Sequence, residues 1–144
     1  MKVCIAEQLE EINSAWGTKR KIELFKQYDT IILRDILDYA FNPDIEWLVS
    51  EDLPKYTLSK DSHSALMKRL YQEIRKFDIF VNSEKYKNLN QQRRDLLFIG
   101  MLERLHPKDA DLILHIRKKT LPYKKITRDV VAKAYPKLAA TWRT

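Results

Sequence analysis

The sequence predicts an all-α fold: a compact single-domain bundle of six or seven short helices with one long packed loop, over residues 1–144. Only two glycines occur in the chain, which is too few for the tight turns of a β-sandwich or barrel. Apolar residues recur at helical spacing along most of the sequence. With 44% hydrophobic and 33% charged residues, the chain can bury a core and is unlike a disordered segment.

Helix positions follow from the apolar period and from capping residues. Thr18, Thr30 and Thr127 are typical N-caps, so a helix should begin after each of them. A proline disfavours helical backbone in the residue before it, so the Asn42-Pro43 pair should end a helix. The pattern predicts these helices in order: Val3–Ala15 before Gly17, residues 19–28, residues 31–41, a fourth from Asp61 or Ser62 to Ile79, a fifth from a Ser83 cap to Leu105, a sixth from His106-Pro107, and a seventh between Thr127 and Pro136.

Residues 42–60 lose the helical period and are expected to form the long loop. Their apolar side chains, among them Trp47 and Leu53, should pack over the core rather than stay in solvent. A short strand over residues 46–49 would need a partner that the sequence does not reveal. Near the C-terminus, Trp142 either docks on the core or lies in a frayed tail.

The net charge of +7 lies entirely in the last quarter of the chain. Residues 1–105 carry 17 Lys and Arg against 17 Asp and Glu, whereas residues 106–144 carry 10 against 3. This basic C-terminal helical segment, 106–144, should attract polyanions at long range, and salt should weaken the attraction.

Several function classes lack their sequence signature. Two glycines cannot supply a P-loop or a dinucleotide-binding fingerprint. A single cysteine, Cys4, excludes an intramolecular disulfide and a multi-cysteine zinc site, and it suits a reducing cytoplasm. No apolar run approaches the roughly 20 residues that span a bilayer, and the acidic N-terminus is unlike a signal peptide. We therefore predict no membrane contact and no cofactor.

Candidate catalytic residues lack partners in the sequence. The histidines His63, His106 and His115 form no HExxH pattern, and Cys4 has no histidine near it along the chain. A metal site between His106 and His115 is less favoured than a helix N-cap followed by an ordinary helical histidine. We therefore predict no metal site and no enzyme activity.

The acidic loop carries only half of the sequence pattern of a metal-dependent nuclease. Pro43-Asp44 matches the first half of a restriction-type pattern, but no Asp or Glu in the chain has a lysine two positions further on. The acids Asp44, Glu46, Glu51 and Asp52 are interpreted as solvated loop residues, with a divalent-ion site as the alternative.

The stretch IRKKTLPYKKITRD, Ile116–Asp129, holds six cationic side chains and one carboxylate. Lysine and arginine neutralise phosphates, and aromatic rings stack on unpaired bases. The cations continue to Arg143, and Tyr123 is the ring best placed to stack. We predict that nucleic acid contacts these residues: Arg117, Lys118, Lys119, Tyr123, Lys124, Lys125, Arg128 and Lys133.

Two other interpretations of the basic stretch stay open. Cations in the last turn of a helix favour its dipole, so Arg117–Lys119 could be solvated surface. The same patch could dock on an acidic protein surface. A helix-turn-helix that reads the major groove is disfavoured, because the gap between its helices is about seven residues and lacks glycine.

Two segments carry a family resemblance: residues 22–47, with the AFNP motif and a tryptophan, and residues 96–138, with LHPKDADL and with LPYKKIT leading to AYP. These segments resemble a family of small uncharacterised proteins of T-even-like tailed bacteriophages and their cyanophage relatives. The resemblance implies a viral origin and a place of work in the cytoplasm of the infected bacterial cell. It implies no activity and supplies no catalytic residues.

Together these observations predict a non-enzymatic phage accessory protein that binds DNA or RNA, without strong sequence preference, through the basic C-terminal helix-loop-helix patch. The alternative is a protein-binding modulator of a host enzyme, RNA polymerase or defence factor that uses the same patch. A small metal-dependent hydrolase built on Asp44, Glu46 and a histidine is the least favoured. The oligomeric state stays open.

Overall fold

The protein is described by a computed structural model over residues 3–142, which form nine α-helices and one 3₁₀ helix. The elements are α1 (Ile5–Ser14), α2 (Gly17–Gln27), α3 (Ile31–Phe41), α4 (His63–Leu66), α5 (Arg69–Glu73), the 3₁₀ helix (Ile74–Phe80), α6 (Gln91–Arg104), α7 (Pro107–Ile116), α8 (Arg128–Ala134) and α9 (Pro136–Ala139). Residues 3–142 contain no β-strand. The predicted all-α single domain is confirmed, with more and shorter helices than expected. No helix in the described range is long and apolar enough to cross a membrane.

Polar caps begin several helices where the sequence predicts them. Thr30 and Thr127 each accept a hydrogen bond from the amide three residues on, at 3.1 and 3.3 Å. His106 caps α7 by accepting the Lys108 amide, two residues on, at 3.1 Å, and is followed by proline at the tolerated first position. The expected Thr18 cap is wrong: α2 begins at Gly17, whose φ of +79° suits a glycine that turns the chain sharply between α1 and α2.

The predicted fourth helix is not continuous. After the short α4 and α5, the chain tightens into a 3₁₀ helix, where the buried residues Ile74, Phe77 and Phe80 follow one another every third position. A 3₁₀ helix has three residues per turn, so this spacing puts all three side chains on one face. The three-residue spacing was present in the sequence and explains the change of helix type.

The predicted fifth helix starts later than expected, at Gln91 rather than after Ser83. Asn90 is its N-cap and accepts the Arg93 amide at 3.1 Å. Residues 82–90 are mostly polar and have no apolar stripe to bury, so they run as turns. Arg94 holds them down, because its guanidinium donates to the Tyr86 carbonyl at 2.8 Å.

The loop of residues 42–60 packs on the core as predicted. Trp47 and Leu53 are half-buried against it, and the Trp47 ring lies edge-on to Phe77 and Phe98. The strand partner that the sequence did not reveal is Val81, which forms one antiparallel bridge with Trp47.

N-terminal helices pack against C-terminal helices, and the core lies between them. Helix α1 packs against α2 and α7, α2 packs against α8, and α6 packs against α7 and the 3₁₀ helix. Of the two alternatives for Trp142, docking on the core is the one observed: the residue is 6% exposed, stacks on Phe41 and donates its indole N–H to Asp38 at 2.7 Å. Pro136 ends α8 as predicted and begins α9. Arg143 lies outside the described residues.

Candidate functional site

Four of the eight predicted contact residues meet in one concave surface, which we call the cationic cleft. The cleft has a volume of about 650 Å³ and lies where the ends of α3 and α7 meet the start of α8 and the loop after α3. Its lining includes the cations Arg117, Lys118, Lys119 and Arg128, the aromatic residues Phe41 and Trp47, and one carboxylate, Glu46.

Lys119 is a structural residue of the cleft. Its ammonium group donates to the carbonyls of Tyr39 and Asn42, at 2.9 and 2.6 Å, at the C-terminal end of α3. Burial lowers the pKa of Lys119. Its φ of 59° is left-handed, a conformation that favours glycine. The lysine therefore ties α7 to α3 at a position where glycine would fit the backbone more easily but could not make these bonds.

Arg117 is partly engaged in the same way. Its NH1 group donates to the Ser50 carbonyl at 2.7 Å and so fastens the long loop to the end of α7. Its Nε–H is buried and has no hydrogen-bond partner among the described residues. One donor of this guanidinium is therefore left unsatisfied beside the cleft, which is costly without a partner.

Arg128 and Lys118 are the less constrained cations. The Arg128 guanidinium lies over the Trp142 ring, 5.4 Å from its centroid, and makes no ion pair within 4.0 Å among residues 3–142. Lys118 is exposed. These two side chains can turn toward a ligand while the other two hold the cleft in shape.

The cleft has aromatic walls that are built into the core. Trp47 packs edge-on against Tyr39, with ring centroids 5.7 Å apart, and donates its indole N–H to the Tyr39 carbonyl at 3.3 Å. Phe41 stacks on Trp142 at 5.8 Å. Because both rings are held by neighbours, the walls are stiff and a ligand would find their orientation already set.

Two electrostatic effects act on an anion in the cleft: the dipole of α7 disfavours it, and the cations of the lining attract it. It lies at the C-terminal end of α7, where the helix dipole is negative and attracts cations. This effect explains why Arg117–Lys119 follow this helix without any ligand. The fourth cation, Arg128, belongs to α8, so the dipole of α7 does not explain its position. It raises the positive potential in the cleft.

The other four predicted residues lie outside the cleft lining. Tyr123 is 8% exposed and donates its hydroxyl to the Ala6 carbonyl at 3.2 Å, so its predicted stacking on a base is wrong for this conformation. Lys124, Lys125 and Lys133 are exposed, as a phosphate contact requires. The backbone N–H of Lys125 donates to the side-chain oxygen of Asn13, near the end of α1, at 2.9 Å.

A second polar cluster lies at the opposite end of α7, and the sequence did not predict it. The ligand atoms of Cys4, Glu7 and His106 lie within 4.8 Å of one another. His63 Nδ1 lies 2.8 Å from His106 Nε2. Burial and the nearby His63 lower the pKa of His106. These residues come from the start of α1, the start of α4 and the start of α7, so their spacing along the chain does not predict a site. Only their residue types, which are common metal ligands, point to one.

Comparison with known proteins places the chain in a family without a described activity. Residues 8–123 match the family of unknown function DUF6433, and the chain belongs to that family. The matched range includes Arg117–Lys119 and ends before Arg128. No curated protein and no solved structure matches the chain.

Proposed function

We propose that this protein binds nucleic acid and that the cationic cleft contacts its phosphates. The observation that carries the proposal is the convergence of four cations from two helix ends on one concave surface with a single lining carboxylate. Lysine and arginine in such a cleft release counterions when they neutralise phosphates, which is the main source of sequence-tolerant affinity.

A single strand suits the cleft better than a duplex. The walls present Trp47 and Phe41 beside the cations, and unpaired bases stack on aromatic rings without regard to sequence. The bases of a duplex are already stacked on one another and would gain nothing from these rings. The two anchored cations, Arg117 and Lys119, would set the shape of the site, whereas Lys118 and Arg128 would supply most of the mobile charge.

The phage setting is part of the same proposal. The resemblance of residues 22–47 and 96–138 to small phage proteins supports a role as an accessory protein in the cytoplasm of an infected bacterial cell. A host enzyme, RNA polymerase or defence factor with an acidic surface is the competing kind of partner.

A salt series tests the proposal. Fluorescence anisotropy of labelled single-stranded DNA, single-stranded RNA and duplex DNA should give tightest binding for a single strand. With about four phosphates neutralised, the logarithm of the binding constant should fall against the logarithm of salt concentration with a slope of about −2 to −3. Absence of binding to all three probes at low salt would overturn the nucleic-acid proposal and favour a protein partner.

A further inference from the structure

We propose that Cys4, Glu7, His63 and His106 form a binding site for a zinc ion, separate from the cationic cleft. The four residues supply one sulfur, one carboxylate and two imidazoles, a donor set that suits the borderline-soft Zn²⁺. They come together where the start of α1 and the start of α4 meet the N-terminus of α7.

The distances within the cluster are close to those of a tetrahedral site. Zinc bonds of about 2.0–2.3 Å separate neighbouring ligand atoms by roughly 3.3–3.8 Å. The ligand atoms of Cys4, Glu7 and His106 lie within 4.8 Å of one another. His63 Nε2 lies 3.6 Å from Glu7 Oε1, and His63 Nδ1 lies 2.8 Å from His106 Nε2. Cys4, Glu7 and His106 are therefore the core of the proposed site, and His63 is the fourth ligand once its ring turns from His106 toward the ion.

A buried carboxylate next to the cluster is an independent sign of a missing cation. Asp109 is fully buried; its Oδ1 accepts the Ala6 amide at 2.8 Å, whereas its Oδ2 has no well-formed hydrogen bond within the described part of the chain and the Cys4 thiol is a neighbouring donor. Burial is the main cause that raises the pKa of the Cys4 thiol, and the negative charge of Asp109 is the second. A divalent ion on Cys4 would offset the negative charge of the Asp109 carboxylate.

The hydrogen-bond chain defines how the site rearranges on binding. The Lys108 amide donates to His106 Nδ1 at 3.1 Å, so the proton of the neutral ring is on Nε2, which donates to His63 Nδ1. Zinc on His106 Nε2 moves that proton to Nδ1 and breaks the cap bond of α7. The loss of one cap bond is small beside the free energy with which proteins bind structural zinc. Cys4 gives up its thiol proton to solvent.

Cobalt is the probe for this site, because a tetrahedral Co²⁺ ion bound to a thiolate has visible and near-ultraviolet absorption bands that Zn²⁺ lacks. The untagged full chain, freed of metal with a chelator, is titrated with Co²⁺ and then with Zn²⁺. We expect one Co²⁺ per chain with a thiolate band, and its displacement by Zn²⁺. Absence of the thiolate band would overturn the proposal.

Matched variants separate the site from chance binding at a surface histidine. Cys4→Ser should abolish the thiolate band, and His63→Ala, which removes a half-exposed side chain, should weaken binding at least roughly 10-fold. His115→Ala is the control, because His115 on α7 is half-exposed like His63, but its ring contacts Asp111 and lies outside the cluster among the described residues. Equal affinity in His63→Ala and His115→Ala would contradict the assigned ligand set. Nucleic-acid binding is measured separately, so either proposal can fail alone.

Discussion

The two ends of helix α7 are built in different ways, although only about 15 Å of helix separates them. At the C-terminal end, cations follow the helix and are held by backbone carbonyls of α3 and of the long loop. At the N-terminal end, side chains from three segments meet as a cluster of thiol, carboxylate and imidazole groups. The cations at the C-terminal end match the sign of the helix dipole, so that part of the charge pattern has a local physical cause. The dipole does not explain why side chains from other helices and loops meet at each end of α7. We therefore place the two proposed binding sites at these two ends.

The largest expected effect on stability is at the wall of the cationic cleft. Trp47→Ala should lower the free energy of unfolding by about 3 kcal/mol, because the half-buried ring packs on Tyr39, Phe77 and Phe98. Urea denaturation measures the change. Leu96→Ala, which truncates an exposed apolar side chain, is the control and should cost little. A small loss in Trp47→Ala would mean that the cleft wall is not part of the core.

The next effect distinguishes a structural cation from a free one. Lys119→Ala should cost about 2 kcal/mol, because it removes two charge-assisted hydrogen bonds to α3. Lys119→Gly loses the same bonds but relaxes the left-handed backbone, so it should be about 1 kcal/mol more stable than Lys119→Ala. Lys118→Ala should lie within about 0.5 kcal/mol of the wild type. Equal stability for Lys118→Ala and Lys119→Ala would remove the anchoring role.

At the other end of α7, the role of His106 as a cap can be separated from its role in the cluster. In metal-free protein, His106→Ala should cost about 1 kcal/mol, because the Lys108 amide loses its acceptor. Asparagine is a better N-cap, so His106→Asn should recover most of that loss while removing an imidazole from the cluster. If His106→Asn is as unstable as His106→Ala, the contact with His63 matters more than the cap.

The smallest effect concerns an ion pair away from both ends. Burial would raise the pKa of Glu73, but hydrogen bonds and charge from Arg104, at 2.6 Å, outweigh it and hold that pKa below 4.5. The pair therefore stabilises the fold above about pH 4.5, and its contribution of about 0.5 kcal/mol, small because Arg104 is 46% exposed, should be lost as pH falls through the lowered pKa. Glu73→Gln should show a flatter acid dependence in urea unfolding. Identical slopes for both proteins would contradict the pairing.

Much of the fold could be predicted from the sequence, and the misses have local causes. The caps at Thr30 and Thr127 and the packed loop followed from side-chain chemistry and apolar content. The break before the 3₁₀ helix differs from the prediction because the apolar residues from Leu66 to Phe80 are four apart up to Ile74 and three apart after it. Both spacings fit one face of an α-helix. Glycine scarcity predicted the fold class, but it gave no information on helix number.

The candidate sites were predictable only where their residues are neighbours in sequence. Arg117–Lys119 were identified from a run of cations, whereas the contribution of Trp47 to the same cleft needed the path of the long loop. Tyr123 was misassigned, because a tyrosine amid lysines gives no sign that its hydroxyl reaches Ala6. The cluster of Cys4 and His106 spans most of the chain, and no local pattern could have joined the two residues.

The most direct test of the central claim compares two double charge reversals of equal net charge. Lys118→Glu/Arg128→Glu alters the cationic cleft, and Lys124→Glu/Lys125→Glu alters exposed lysines outside its lining. Both are measured by anisotropy with the same single strand at the same salt concentration. The first variant should bind at least roughly 10-fold more weakly than the second, since it loses phosphate contacts as well as overall charge. Equal weakening in the two variants would contradict a specific role for the cleft and leave only the net charge of the C-terminal segment.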